Sequence, residues 1–408
     1  FSINNVWVLM RISTPEFIAL MAMLVATVAI SIDAMLPALP DIAAELAPDN
    51  TNKVQLILST FIVGMAIGTL IAGPLSDSFG RKNIIYVGAS IYILSSVICL
   101  FATNLETMII ARVCQGIGAA APRVVSQALV RDLYSGREMA RISSFIMIIF
   151  AIVPAIAPLM GAGLISVFDW HAIFIIFIIF SFVSTIWTGM RVQEPLRPEM
   201  RVPFRADAFK AAFIQILSLG IVRTAITTLI FSYGMLFICI LLVQQIFDQF
   251  YGRADSFPEW FAVIAGLSAS ASFLNSMIVI RLGMRRLISV ALQVQVIWSA
   301  LMLVMYYAGI ISGNFGFGIF VFWIFGLFFQ AGLTLGNLTA LAMEPLGHVA
   351  GTAASVISAI ATFGSVILAS IAGQFFDGTP LAMIISTVLL SFAGALSAHR
   401  LKRFERNM

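Results

Sequence analysis

Apolar stretches of about twenty residues recur along nearly the whole chain, and this feature constrains the fold more than any other. A helix needs about twenty consecutive apolar residues to cross the hydrocarbon core of a bilayer. We therefore predict an all-α membrane protein with about twelve transmembrane helices. The predicted spans are 16–39, 54–73, 83–102, 106–131, 141–166, 171–191, 222–247, 258–280, 287–311, 316–340, 350–374 and 380–399.

The composition excludes a soluble enzyme. Hydrophobic residues make up 61% of the 408 residues and charged residues only 10%, so a soluble fold would expose very large apolar patches. The chain has no paired carboxylates, no histidine cluster and no phosphate-binding Gly-x-x-x-x-Gly-Lys-Ser/Thr motif. Cys99, Cys114 and Cys239 lie in apolar stretches without metal-ligand spacing, which indicates small core residues. We expect no catalytic residues, no cofactor and no metal.

The positions of the basic residues predict the orientation and the domains. The predicted outer loops carry only Lys53 and Arg253, and the inner loops and tails carry most of the other basic residues. This asymmetry places both termini in the cytoplasm. A proline-containing inner loop separates six spans from six, and short basic glycine turns at Gly80 and Gly283 occupy matching places in the two halves. The predicted parts are an N-terminal tail 1–15, a six-helix bundle 16–191, an inter-bundle loop 192–212, a second six-helix bundle 213–400 and a basic tail 401–408.

Three charged residues lie clearly inside predicted spans. They are Asp33, Arg112 and Arg123, and charges at such depth are expensive and are functional candidates by default. Asp33 and Arg112 are both predicted roughly 9 Å below the outer surface, and Arg123 lies roughly 16 Å deeper on the same helix face as Arg112. One interpretation is a permanent ion pair between Asp33 and Arg112, with Arg123 extending toward the inner surface. The other is that Asp33 is a proton site, loaded or emptied when Arg112 moves or water enters.

Several motifs resemble those of the major facilitator superfamily, and specifically its Bcr/CflA group of drug:proton antiporters. Residues 73–82, GPLSDSFGRK, are similar to the superfamily's loop between the second and third spans. Residues 112–118, RVCQGIG, resemble its fourth-span motif, and residues 151–163 resemble its fifth-span antiporter motif, although Ala157 stands where glycine is common. Residues 32–40, IDAMLPALP, and 131–134, RDLY, resemble segments of the Bcr/CflA group. The resemblance covers essentially the whole chain.

The resemblance implies a proton-coupled secondary transporter of the bacterial inner membrane. It would export small amphipathic compounds by alternating access between two six-helix bundles, and it would act as a monomer in the lipid bilayer without binding nucleic acid. An exporter of a metabolite or siderophore and a transporter-like sensor are the alternatives. Val25 replaces a second acid found in some related transporters, which favours neutral, zwitterionic or anionic substrates over dications.

The resemblance and the intramembrane charges together name the candidate residues. The proton-coupling candidates are Asp33 and Arg112; the cavity candidates are Asp33, Arg112, Gln115, Arg123, Gln244 and Asn275; the gating candidates are Gly73, Asp77, Gly80, Arg81, Pro154, Pro158 and Gly161. Gln244 and Asn275 are equally well explained as polar contacts between helices. Gly73 and Gly80 are expected to allow tight turns.

Overall fold

A computed structural model of the chain describes residues 12–401, leaving aside the side chains of Ala140, Ala208 and His348. Within this range there is no β-strand, and twelve helical segments are long and apolar enough to cross a membrane, which confirms the predicted fold class. The predicted tails fall largely in 1–11 and 402–408, outside the described residues. The cytoplasmic position of both chain ends stays a prediction.

The helices are numbered in chain order. Their bounds are α1 Thr14–Asp33, α2 Leu39–Leu46, α3 Gln55–Phe79, α4 Arg81–Leu100, α5 Leu105–Leu133, α6 Gly136–Val167, α7 His171–Arg191, α8 Ala206–Ser218, α9 Gly220–Gln245, α10 Phe257–Ser268, α11 Ser270–Leu282, α12 Met284–Tyr307, α13 Gly313–Met343, α14 Ala350–Gln374 and α15 Leu381–Leu401. A π-helical turn, Ile246–Phe250, extends α9.

The first membrane span is longer than predicted and is interrupted. The apolar segment Thr14–Leu46 contains α1, a 3-10 turn at Leu36–Ala38 and then α2, whereas the sequence predicted an end at Leu39. Pro37 explains the break, because proline has no backbone N–H and keeps the preceding residue out of the helical conformation. Asp33 is the last residue of α1, so it lies at this break and deeper in the span than predicted.

Contacts divide the chain into two compact units. Of the described residues, the first contains 12–38 and 60–206, and the second contains 39–59 and 207–401. The second unit therefore includes α2 and the start of α3. Within it, Asn52 donates to the Phe376 carbonyl at 2.7 Å and Gln55 donates to Gln245 Oε1 at 3.0 Å. Its helix α9 packs against α13, α14 and α15.

The region of the predicted inter-bundle loop is partly helical. It contains a 3-10 turn, Pro198–Met200, and the start of α8, Ala206–Ser218, whereas the sequence predicts a loop over 192–212. Pro195, Pro198 and Pro203 keep the first part irregular because proline cannot continue a helix. After the last of them the chain is free to form a helix.

Glycines allow the helices of the first unit to cross closely. A Cβ at Gly64 would lie 2.0 Å from the Val113 carbonyl oxygen, and one at Gly116 would lie 2.0 Å from that of Phe61. Helix α5 therefore touches α3 backbone to backbone, as small residues permit in membranes. In the second unit a Cβ at Gly332 would meet Ala271, whereas Gly336 has open space, so only the first of these two glycines serves close packing.

Candidate functional site

The Arg112 guanidinium belongs to the first unit and is fully buried. Its Nη2 donates to the Ser31 carbonyl at 2.9 Å, and its Nη1 donates to Gln115 Oε1 at 2.5 Å. The Phe61 ring covers the guanidinium carbon at 4.4 Å from the ring centroid. Dipoles and an aromatic face thus solvate this cation where water would be scarce.

A chain of hydrogen bonds continues from Arg112 through three helices. Gln115 Nε2 donates to Ser96 Oγ at 2.6 Å, and Ser96 Oγ donates to the Tyr92 carbonyl at 2.8 Å. The Tyr92 hydroxyl is 2.6 Å from Ser31 Oγ. Gln115, predicted as a cavity residue, lies in the interior with no exposed surface, and both ends of its amide are bonded. The network joins α1, α4 and α5 around the charge of Arg112.

Asp33 lies beside this network without an ion pair to Arg112. It follows Ser31 by two residues and is 5% exposed at the end of α1. Between described residues, no ion pair or hydrogen bond to the Asp33 carboxylate is formed. The permanent pair considered from the sequence is therefore absent, because the Arg112 guanidinium donates to Ser31 and Gln115 instead. Of these two buried groups, Arg112 has hydrogen-bond partners, whereas the Asp33 carboxylate has none among the described residues.

The remaining predicted cavity residues fall in different surroundings. Arg123 lies half-buried on α5 with its Nη1 3.7 Å from Met65 Sδ, so α5 carries both intramembrane arginines. In the second unit, Gln244 is 2% exposed and Asn275 is half-buried. Asn337 donates to Asn275 Oδ1 at 2.6 Å, which is a polar contact between α13 and α11. For Asn275, the structure thus supplies the helix-to-helix bond that was one of its two interpretations.

A second polar cluster lies where α3 passes into α4. Arg81 is 7% exposed and donates from Nε to Asp132 Oδ2 at 2.7 Å. Its Nη1 also pairs with Asp77 and donates to Ser76 Oγ at 2.7 Å. The turn depends on Gly80, whose φ of +96° favours glycine. Arg81 therefore holds two carboxylates from two helices within the first unit.

The turn predicted at the start of this motif is absent. Gly73 lies inside the continuous helix α3, where its carbonyl accepts a hydrogen bond from Ser76 Oγ at 2.8 Å. An α-helix accommodates glycine in ordinary dihedral angles, so the motif contains one tight turn, at Gly80, rather than two.

Glu194, which no sequence pattern marked as a functional residue, caps the start of α4. Its two carboxylate oxygens accept from the backbone N–H groups of Arg81 at 3.1 Å and Lys82 at 2.8 Å. The N-cap residue is Gly80, which has no side chain to do this. Lys82 reaches in the opposite direction and donates to the Gly189 carbonyl at 2.8 Å, near the end of α7. Glu194 and Lys82 thus connect the Gly80 turn to the end of α7 and to the segment that follows it.

Two sequence signals pointed to these missed partners. Asp132 belongs to the RDLY segment at the end of the fourth span, and it is an acid next to the predicted inner surface, where basic residues dominate. Glu194 follows α7 by only a few residues. The position of each acid in the sequence does not show which arginine or which helix end it binds, because both contacts join residues that are far apart in the chain.

The predicted gating residues of the fifth span all lie on α6. Pro154 and Pro158 are inside this helix. A Cβ at Gly161 would lie 2.2 Å from the Ala34 carbonyl oxygen, immediately after Asp33, whereas Gly163 has open space around it. Gly161 therefore lets α6 contact the break that follows α1.

Comparison with known proteins decides the family. The profile described as Major Facilitator Superfamily matches residues 20–369. The chain belongs to this superfamily. It is therefore a transporter rather than an enzyme, and a multi-pass protein of the bacterial inner membrane.

Some of the proteins with similar sequences are named as resistance proteins. It is 30% identical to the uncharacterized MFS-type transporter YdgK of Bacillus subtilis over 83% of both chains. It is 29% identical to a bicyclomycin resistance protein homolog of Haemophilus influenzae, covering 92% of this chain and 93% of the relative. A multidrug resistance protein, MdtL of Vibrio parahaemolyticus, is 38% identical over 35% of this chain and 36% of its own. The resemblance to the Bcr/CflA group is confirmed.

Solved structures show the same fold at low sequence identity. The crystal structure of a D-xylose-proton symporter superposes with a TM-score of 0.74 at 14% identity and covers 95% of this chain and 97% of its own. At this identity the similarity concerns the fold alone.

Proposed function

We propose that this transporter exports small amphipathic compounds, drugs among them, in exchange for protons. The bicyclomycin and multidrug resistance names of its relatives support export, and the superfamily supports alternating access. We further propose that it acts as a monomer surrounded by lipid.

One observation carries the proton coupling: Asp33 and Arg112 are both buried, Arg112 donates to the carbonyl of Ser31 two residues before Asp33, and the two charged groups are not bonded to each other. A buried charge without a partner costs several kcal/mol, about +2.5 to +3.5 even on insertion scales, whereas a protonated carboxyl group costs far less. The arrangement in which Asp33 and Arg112 are not bonded to each other is therefore more stable with a protonated Asp33 carboxyl group than with an ionised one. If Arg112 leaves Ser31 and Gln115 for Asp33, the ionised acid gains a partner and the proton is released.

The charges around Asp33 also indicate the substrate class. The charged residues placed well inside the spans of the first unit are two arginines on α5, Arg112 and Arg123, and one acid on α1, Asp33. Val25 on α1 is buried where some relatives carry a second acid. A surplus of positive charge disfavours a dication and tolerates an anion. We therefore propose neutral, zwitterionic or anionic amphiphiles as substrates, with bicyclomycin as the first compound to test.

The test is transport by purified protein in liposomes with an imposed pH gradient. Asp33→Asn removes the titrating group and keeps its size, so we expect gradient-driven flux to vanish while exchange of labelled for unlabelled substrate continues. Glu106→Gln is the matched control, because Glu106 is an exposed acid in the first turn of α5. Undiminished gradient-driven flux in Asp33→Asn contradicts the assignment of Asp33. Absence of any flux by the wild type, across neutral, zwitterionic, anionic and dicationic compounds, contradicts the export function itself.

A further inference from the structure

An apolar groove opens on the second unit between the end of α14 and the start of α15. Both helices pack against α9 and touch each other only slightly, which leaves a cleft of about 510 Å³. Its lining includes Ile238 of α9 and the side chains of Ile371, Phe375, Ile385 and Leu389. Each of these four is at least 37% exposed. The groove therefore opens toward the region that the bilayer fills.

The length of the groove matches the hydrocarbon thickness of one leaflet of the bilayer. Along α15 its lining runs from Leu381 to Leu390, a rise of roughly 14 Å at 1.5 Å per residue. The hydrocarbon core of a bilayer is about 30 Å thick, so one leaflet contributes about 15 Å. An acyl chain of the leaflet next to the 375–380 loop fits the groove lengthwise.

A carboxylate stands at the end of the groove. Asp377 is the one charged residue among the described residues that line it, and it is exposed. Its Oδ1 accepts from the backbone N–H of Thr379 at 3.0 Å and from Thr379 Oγ1 at 2.6 Å. The turn is completed by Gly378, whose φ is +85°. The turn thus fixes a negative group where a lipid headgroup would lie.

We propose that this groove binds a phospholipid with a primary ammonium headgroup, its acyl chain in the apolar cleft and its ammonium on Asp377. An apolar pocket with a single polar group at one end is the usual design of a site for an amphiphile. The carboxylate attracts the ammonium group of a zwitterionic headgroup and repels a headgroup with a net negative charge, and a primary ammonium also donates hydrogen bonds. This inference stands independently of the proposed export function.

The test is native mass spectrometry of the full chain released from nanodiscs that contain equal amounts of phosphatidylethanolamine, phosphatidylcholine and phosphatidylglycerol. We expect one retained lipid, with phosphatidylethanolamine about three- to five-fold over phosphatidylcholine, as a surface ion pair allows. Phosphatidylcholine keeps the positive charge but has no N–H donor, and phosphatidylglycerol should be the least retained.

Variants test the apolar groove and the Asp377 carboxylate separately. Asp377→Asn should abolish the preference for phosphatidylethanolamine and keep lipid retention, whereas Ala382→Trp fills the groove and should abolish retention. Ser386→Leu is a second filling variant in case the larger side chain prevents folding, and Leu396→Trp, on the exposed surface of α15 outside the lining, is the matched control. Equal retention of the three lipids by the wild type, or unchanged retention in a folded filling variant, overturns the proposal.

Discussion

Tyr92 donates its hydroxyl proton to Ser31 Oγ across 2.6 Å, because the single proton of Ser31 Oγ is already given to the Thr27 carbonyl at 2.6 Å. The Ser31 carbonyl also accepts from Arg112. One serine therefore ties α4 and α5 to α1, two residues before Asp33. Its hydrogen bonds place the end of α1 relative to the buried arginine.

Loss of the Tyr92 hydroxyl should weaken the fold measurably. Tyr92→Phe removes one buried hydrogen bond, so we expect the free energy of unfolding in mixed detergent micelles to fall by about 0.5–1.5 kcal/mol. Tyr307→Phe, at a tyrosine that is 71% exposed, should change it by less than about 0.5 kcal/mol.

A double-mutant cycle isolates this bond. Because Tyr92→Phe and Ser31→Ala each break it, the double variant should lose less than the sum of the single losses. Additive losses would show that the two hydroxyl groups act separately and that Tyr92 does not position Ser31.

Two glycines on α6 should respond to alanine in opposite directions. In Gly161→Ala the new Cβ lies 2.2 Å from the Ala34 carbonyl oxygen, so α6 or the break after α1 must move, at a cost of about 1–3 kcal/mol. Gly163→Ala meets no atom within 4 Å and should stabilise the helix by up to about 1 kcal/mol. Thermal unfolding of the purified variants measures both, and equal shifts would contradict the close contact of Gly161 with Ala34.

The spans and the buried charges were predictable because lipid imposes simple rules. Each span must be apolar over about twenty residues, and a charge such as Arg112 or Asp33 stands out against that background. The partners were harder to predict. The acceptors of Arg112 include the Ser31 carbonyl, and every residue has a carbonyl, so no pattern in the sequence marks this one. The predicted depths put two opposite charges at one level and so allowed an ion pair as one of two interpretations, and the structure does not form that pair.

The loop contacts were unpredictable for a related reason. Glu194 lies among mixed charges in a proline-containing segment, where an acid usually faces water. Its capping role depends on the fold bringing residue 194 to residues 81 and 82, and local spacing carries no information on that approach. The extension of the first span beyond Pro37 was missed because proline usually marks the end of a helix rather than a break within a span.

Glu194 should stabilise the start of α4 through both its acceptors and its charge. Glu194→Ala removes the cap and should lower the free energy of unfolding by about 0.5–2 kcal/mol. Glu194→Gln keeps one acceptor and loses the favourable charge at the helix N-terminus, so its loss should be smaller. Glu199→Gln, an exposed acid in the same segment, is the control. If both Glu194 variants behave like that control, the carboxylate does not act as a cap.

The turns at Gly80 and Gly283 should differ in how much the acid bound to each turn's arginine contributes to the stability of the protein. In the first unit Asp132 accepts from the buried Arg81 at 2.7 Å and is 27% exposed. In the second unit the nearest oxygen of Glu344 is 3.9 Å from Arg285, and Glu344 is 52% exposed. A short charge-assisted hydrogen bond to a buried arginine contributes about 1.5–3 kcal/mol, whereas an exposed ion pair contributes about 0–1 kcal/mol.

Asp132→Asn should therefore destabilise the protein by about 1.5–3 kcal/mol and Glu344→Gln by less than about 1 kcal/mol. The measurement is unfolding of both variants in the same detergent at low and at high salt. Salt should weaken the contribution of Glu344 further and leave that of Asp132 nearly unchanged, because a buried pair is screened much less than an exposed one. Equal losses in the two variants would mean that the turn at Gly80 holds its arginine no more firmly than the turn at Gly283.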